Sequence, residues 1–185
     1  NKLRTTDDLP EVIYAREYDA AISPNGNIPV HAFNLISPTF FANSSTGNKY
    51  SLWVNVYGVS ERYLNVYGEK DLRAQMNQFF HRTYTHPVDG TTLDMKMLCN
   101  WYWYDETAIL ETGKGTKDWN FYRYAETLLS AAEAIAQSSG VNAEAAGYLA
   151  QVKARANMEG KDVSTIASEL QRLGKQAFIE ECWKE

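Results

Sequence analysis

Residues Asn100-Trp-Tyr-Trp-Tyr-Asp-Glu106 form the densest aromatic run in the sequence. Flat Trp and Tyr rings offer area that matches the apolar C–H face of a sugar ring and lose little entropy on binding. Polar neighbours such as Asn100, Asp105 and Glu106 can then hydrogen-bond ring hydroxyls in plane. In an extended stretch, Trp101 and Trp103 face one way while Tyr102 and Tyr104 face the other. One pair then serves the core and the other a platform, or all four are core or subunit contacts. Trp53 is a second candidate, in a strand beside the loop Asn43 to Asn48, with core packing as its alternative. The candidate glycan-binding set is therefore Trp101, Trp103, Tyr102, Tyr104, Asn100, Asp105 and Trp53.

Other chemistry is harder to assemble. His81 and His86, in His-Arg-Thr-Tyr-Thr-His, have four residues between them, a spacing open to two metal ligands. A third ligand is not at hand, and Pro87 disfavours helical geometry at His86. Incidental polar histidines are the simpler reading, and neither a metal nor a cofactor is expected. A glycosidase needs two carboxylates across a cleft, one with a raised pKa. Asp105, Glu106 and Glu111 lie near aromatics, but such acidic pairs are common. No Gly-x-Ser-x-Gly elbow, P-loop or dinucleotide fingerprint is present, and no catalytic residue is assigned. Cys99 and Cys182 lie far apart at no ligand spacing, either paired in an oxidising compartment or kept as small buried apolar groups.

The bulk composition narrows the partners. The 185 residues are 44% hydrophobic, enough for a core, and 13% aromatic, with 12 Tyr and 5 Trp. Tyr and Trp suit half-wet surfaces where ligands dock. A net charge of −5 without a long basic run speaks against nucleic acid. No apolar stretch approaches the roughly 18 residues needed to span a bilayer.

Two unlike halves position these residues, and they meet near Lys117. Residues 1–117 hold all five prolines (Pro10, Pro24, Pro29, Pro38 and Pro87) and many Asn, Ser and Thr. This is the composition of loops and short strands. Glu11 to Tyr18 and Ser51 to Tyr57 read as strands, rich in β-branched and aromatic residues. Between them, Asn25-Gly26 marks a tight turn, and Asn43 heads a formal glycosylation triplet. Ser60 can cap a short helix running to Tyr67, which Gly68 stops. From Phe121 the pattern becomes helical. Phe121, Tyr122, Ala125, Leu128, Leu129, Ala132, Ile135 and Ala136 fall at the i, i+3, i+4, i+7 spacing. After Ser138-Ser-Gly140, Asn142 caps a second helix striped by Ala145, Ala146, Leu149, Val152 and Ala156. A third, capped by Ser164, carries Ile166, Leu170, Leu173, Ala177 and Phe178 on one face. The short turn between the first two makes them antiparallel, and their alanines allow close approach. The build is that of a tetratricopeptide-type hairpin, at a spacing longer than the usual repeat of about 34 residues. Arg123 and Glu126 pair on the first helix surface, or Arg123 reaches to carbonyls of a neighbouring element.

Arg123, Ala125, Glu126, Leu128, Leu129 and Ala132-Glu-Ala134 together resemble the most recognisable block of the SusD/RagB family. Val152-Lys-Ala-Arg-Ala156 is similar to the stretch of that family in which a small hydrophobic residue and Arg precede a turn. Phe178 to Glu185 looks like its closing helix. Upstream, Glu11 to Tyr14 resembles a strand opening, and Asp71-Leu-Arg73 resembles an Asp-x-Arg that follows the ligand-side loops. The resemblance is specific over 118–183, and residues 74–117 match nothing in it.

The resemblance implies a mainly α fold of tetratricopeptide-like helical hairpins, an alpha-alpha superhelix, with a loop-rich region containing short strands. Residues 1–117 are then the loop-rich, aromatic region and 118–185 the helical region of one SusD-like domain. It implies a non-catalytic outer-membrane nutrient-binding protein, not an enzyme, that captures an oligosaccharide or other nutrient for a SusC-like TonB-dependent transporter. The protein would face outward, held by a lipid anchor lying outside this sequence. The alternative is a tetratricopeptide-like adaptor that holds a protein segment in the helical groove from 121 to 183.

Overall fold

The computed structural model describes residues 9–19, 21–22, 59–86, 90–102, 104 and 115–185. The strand Ser51 to Tyr57, the turn at Asn25-Gly26 and the triplet at Asn43 lie outside the described residues. The chain forms two compact units, one of Asn1–Leu9, Ala15–Leu64 and Gln75–Phe121, the other of Pro10–Tyr14, Asn65–Ala74 and Tyr122–Glu185.

The second unit is helical: α2 Tyr124–Ser139, α3 Ala143–Lys153, α4 Val163–Leu170 and α5 Lys175–Lys184, numbered after the short α1 Glu61–Leu64 of the first unit. Helix α2 packs on α3 and α5, and α3 packs on α4. The seam is built from the alanine stripes. Ala132, Ala136, Ala145, Ala146 and Leu149 are fully buried together with Phe178, and Ile166, Leu170, Ile179 and Cys182 close the cluster. Small side chains let the backbones approach, and the large Phe178 then fills the space against them.

Local signals account for three of the helix ends. Gly140 closes α2 at φ 80°, a left-handed value that costs a glycine nothing. The Asn142 side chain accepts a hydrogen bond from the Ala145 N–H at 2.9 Å, a cap worth about 1 kcal/mol. Two expectations for the helical unit are corrected. The helical stripe begins at Ala125, because Trp119–Arg123 is a strand, β4, paired with β1 Val12–Arg16. Phe121 and Tyr122 are consequently exposed on that ribbon. The expected third helix is two helices. Asp162, rather than Ser164, caps the first by accepting from the Thr165 N–H at 2.7 Å. The chain turns at Gln171–Gly174 before α5 begins.

The β1–β4 ribbon is pinned at both ends. Tyr18 N–H donates to the Asp118 carboxylate at 2.9 Å, and Tyr124 N–H donates to the Glu11 carbonyl at 2.8 Å. In the first unit, β2 Phe80–Thr85 pairs antiparallel with β3 Thr92–Asn100. Phe80 faces Asn100, His81 faces Cys99, and the register shifts between His81 and Thr83. Gly90, at φ 73°, turns the hairpin while its N–H bonds the His86 carbonyl. Helix α1 is shorter than expected, and Ser60 Oγ accepts from the Tyr63 N–H at 3.2 Å.

Candidate functional site

The β2–β3 hairpin gathers an aromatic cluster in the first unit. Trp101 follows the last residue of β3, and its N–H bonds the Phe79 carbonyl at 2.8 Å. Its indole stacks on His81 at 4.1 Å between ring centroids and 12° between planes. Tyr104 stacks on it as well, at 4.9 Å and 11°. Tyr84 leans against both Trp101 and Tyr104, at 5.8 and 6.3 Å. Tyr63 meets Phe80 edge to face at 5.8 Å. Such offset and edge contacts suit the ring quadrupole and hold the side chains in fixed planes.

Tyr102 sits beside this stack under a cation. Lys117 Nζ lies 4.1 Å from its ring centroid and donates to the Tyr102 carbonyl at 3.1 Å. Lys117 is itself buried, so the ring face and the carbonyl replace part of its lost water. Exposure divides the cluster. Trp101 is 7% exposed and Tyr84 2%, whereas Tyr102, Tyr104 and His81 are half-buried. An apolar interior stack with half-wet rings at its border can offer ring area and hydroxyls to a flat, polyhydroxylated ligand.

The family model for the SusD family matches residues 39–185. The chain belongs to the SusD family. Solved structures agree with this in fold. A SusD superfamily protein from Parabacteroides distasonis superposes with a TM-score of 0.70 at 22% identity, over 94% of this chain and 35% of that one. A SusD superfamily protein from Bacteroides fragilis gives 0.54 at 18% identity, over 96% and 40%. Surface glycan-binding protein A from Bacteroides uniformis gives 0.51 at 18% identity, over 97% and 38%. The chain thus spans between 35% and 40% of the length of these solved chains. No curated protein matches the sequence. The SusD-family fold seen here is mainly α, with tetratricopeptide-like hairpins and short strands.

Within this SusD-family chain, the structure brings together Trp101, Tyr102 and Tyr104 of the expected set. Asn100 is placed by its backbone at the end of β3, opposite Phe80. Trp103, Asp105 and Trp53 lie outside the described residues, as do Glu106 and Glu111. Three members were not singled out from the sequence as parts of this cluster: His81, Tyr84 and Lys117. His81 looked incidental because its partner, Trp101, is reached only across the hairpin. Among the described residues, no group of three or more His, Cys, Asp or Glu is placed to hold a metal ion. His81 stacks on Trp101 and His86 is fully buried.

Arg123, in the recognisable block, pairs with Glu11 rather than Glu126. Glu11 also takes the Arg155 guanidinium at 2.8 Å. The block's arginine therefore ties the start of β1 to the helical unit and is positioned for architecture.

Proposed function

We propose that this chain is part of a non-catalytic glycan-capture protein of the outer-membrane surface, whose aromatic cluster at the β2–β3 hairpin meets the sugar. Membership of the SusD family is the observation that carries this reading. Its fold likeness to a surface glycan-binding protein from Bacteroides uniformis supports it further. Tyr102 and Tyr104 supply half-exposed ring area, Trp101 backs them, and Asn100, Trp103 and Asp105 extend the same segment. Trp53 is a second contact in this proposal. Captured ligand passes to a SusC-like TonB-dependent transporter, and a lipid anchor on the whole protein keeps it outward-facing. No bond is broken in the cycle.

Calorimetry of the lipid-free ectodomain against a polysaccharide panel tests this. We expect saturable binding at micromolar to millimolar strength, weakened about tenfold or more by Tyr102→Ala or Trp103→Ala. Trp101→Ala removes the buried backing ring, so it should lower both affinity and stability. Sustained release of shortened sugars, lost with one carboxylate substitution, would make the protein a hydrolase. Binding of a peptide but of no glycan would favour the tetratricopeptide-like adaptor.

A further inference from the structure

The helical unit holds one end of the β1–β4 ribbon, Val12–Tyr14 together with Tyr122 and Arg123. Large apolar side chains stand in the open there. Ile13 is 57% exposed, Tyr14 and Tyr122 are each 58%, and Tyr124, just past the strand, is 50%. The Tyr14 and Tyr122 rings lie 6.3 Å apart between centroids, with 30° between planes, so they form one paired surface. Successive residues of a strand face opposite ways, which puts Ile13 on the other side of β1 from Tyr14. Both faces of this end are therefore apolar and exposed. A two-stranded ribbon is marginal in water by itself, and an exposed apolar patch of this kind marks a place where another element packs.

We propose that another part of the same SusD-family polypeptide, outside Asn1–Glu185, packs around this end of the ribbon. It lays apolar side chains on the Tyr14–Tyr122 pair and brings an acidic group to Arg123 and Arg155. Chain length points to this occupant. The solved relatives match 94–97% of this chain but only 35–40% of their own, so more than half of each relative lies outside the matched part. This goes beyond the glycan reading and holds whatever ligand the aromatic cluster takes.

The charge at the same end gives the occupant its chemistry. Glu11 accepts through one oxygen, Oε1, from Arg123 Nη2 and, at 2.8 Å, from Arg155 Nη1. Two guanidiniums thus share one carboxylate, which leaves one positive charge in excess. Arg155 Nε donates to the Val152 carbonyl at 3.3 Å. Arg123 Nε is buried with no hydrogen-bond partner, and a buried donor of that kind marks a missing acceptor. The Arg123 and Arg155 side chains are 30% and 48% exposed, so a carboxylate can reach their outer nitrogens. An Asp or Glu on the covering segment neutralises the pair, and the planar fork of arginine suits its two oxygens.

Tyrosine nitration of the whole lipid-free ectodomain, read peptide by peptide by mass spectrometry, measures the cover. With no glycan present, Tyr14 and Tyr122 should react at least about tenfold more slowly than in the urea-unfolded protein. Rates within about twofold of the unfolded ones would overturn the proposal. So would protection that appears only once a glycan is added, because the ring pair would then be a sugar platform. A benzophenone amino acid in place of Tyr122 identifies the occupant. On irradiation it should link, within one polypeptide, to a residue outside Asn1–Glu185. A link to a second copy, a link within Asn1–Glu185, or no link at all would refute this occupant. Arg155→Glu should speed nitration of Tyr122 about threefold or more, while Arg155→Lys, which keeps the charge, stays near wild type. Equal rates in all three proteins would overturn the acidic contact.

Discussion

Cys182 shows how placement decides a side chain's chemistry. It is a free thiol, 5% exposed, against the alanine seam of α2 and α3. Burial, and then the negative charges of Glu133 and Glu181, push its pKa up to about 11. The thiolate is the nucleophile, so the folded protein holds almost none at neutral pH. A maleimide at pH 7 should leave Cys182 unlabelled in the native protein and modify it once urea unfolds the helices. Rapid native labelling, followed by mass spectrometry of the α5 peptide, would contradict this packing. Lys117 is the complementary case at the same scale. Its charge is kept in a buried position by an aromatic face and a carbonyl, neither of which is visible from its neighbours in sequence.

At the scale of elements, the helical unit joins an apolar seam to an ionic border, and acid separates the two. Burial alone would raise the Asp71 pKa, but the hydrogen bonds and charge of Arg73 outweigh it and leave it lowered. Burial likewise opposes the bonds from Lys153 and Lys184 to Glu181, and they also win, lowering its pKa. A carboxylate with a depressed folded pKa adds stability that is complete above its unfolded value and lost as pH falls through the folded one. The unperturbed values here are 3.8 for Asp71 and 4.5 for Glu181. Stability from this border should thus be flat at neutral pH and decline below about pH 4. Urea midpoints followed by helix circular dichroism at pH 7 and pH 3 check it. An Asp71→Asn chain should show a smaller acid loss than the wild type. The strand pair β1–β4 follows a different logic. Its bonds to Asp118 and Tyr124 override the helical periodicity at Phe121 and Tyr122, because an extended pairing partner was available nearby.

At the scale of the whole molecule, ligand and fold are linked. A glycan that binds only the folded ectodomain stabilises it by about 2.7 kcal/mol at a hundred times its Kd. Thermal melts should therefore rise in Tm with added glycan, and a roughly tenfold weaker Tyr102→Ala should cut the rise to about half at the same concentration without lowering the unliganded Tm by much. A rise left undiminished by both Tyr102→Ala and Trp103→Ala would place the contact elsewhere on the protein.

The sequence by itself determined α3 and the body of α2, because a stripe at helical spacing and an Asn cap are local facts. The pattern alone assigns Ala132, Ala136, Ala145 and Leu149 to one seam and ends the first helix at Gly140. It also marked Trp101 to Tyr104 as a place where rings gather. Tertiary structure alone decided which of those rings is buried. His81 meets Trp101 because β2 and β3 pair with a shifted register, and register depends on the balance of contacts along both strands. Arg73 meets Glu185 across more than a hundred intervening residues, and Arg123 leaves the nearby Glu126 for Glu11. Ion pairs of this kind carry no periodic signature. They form where folding has already removed two charges from water and brought them within reach.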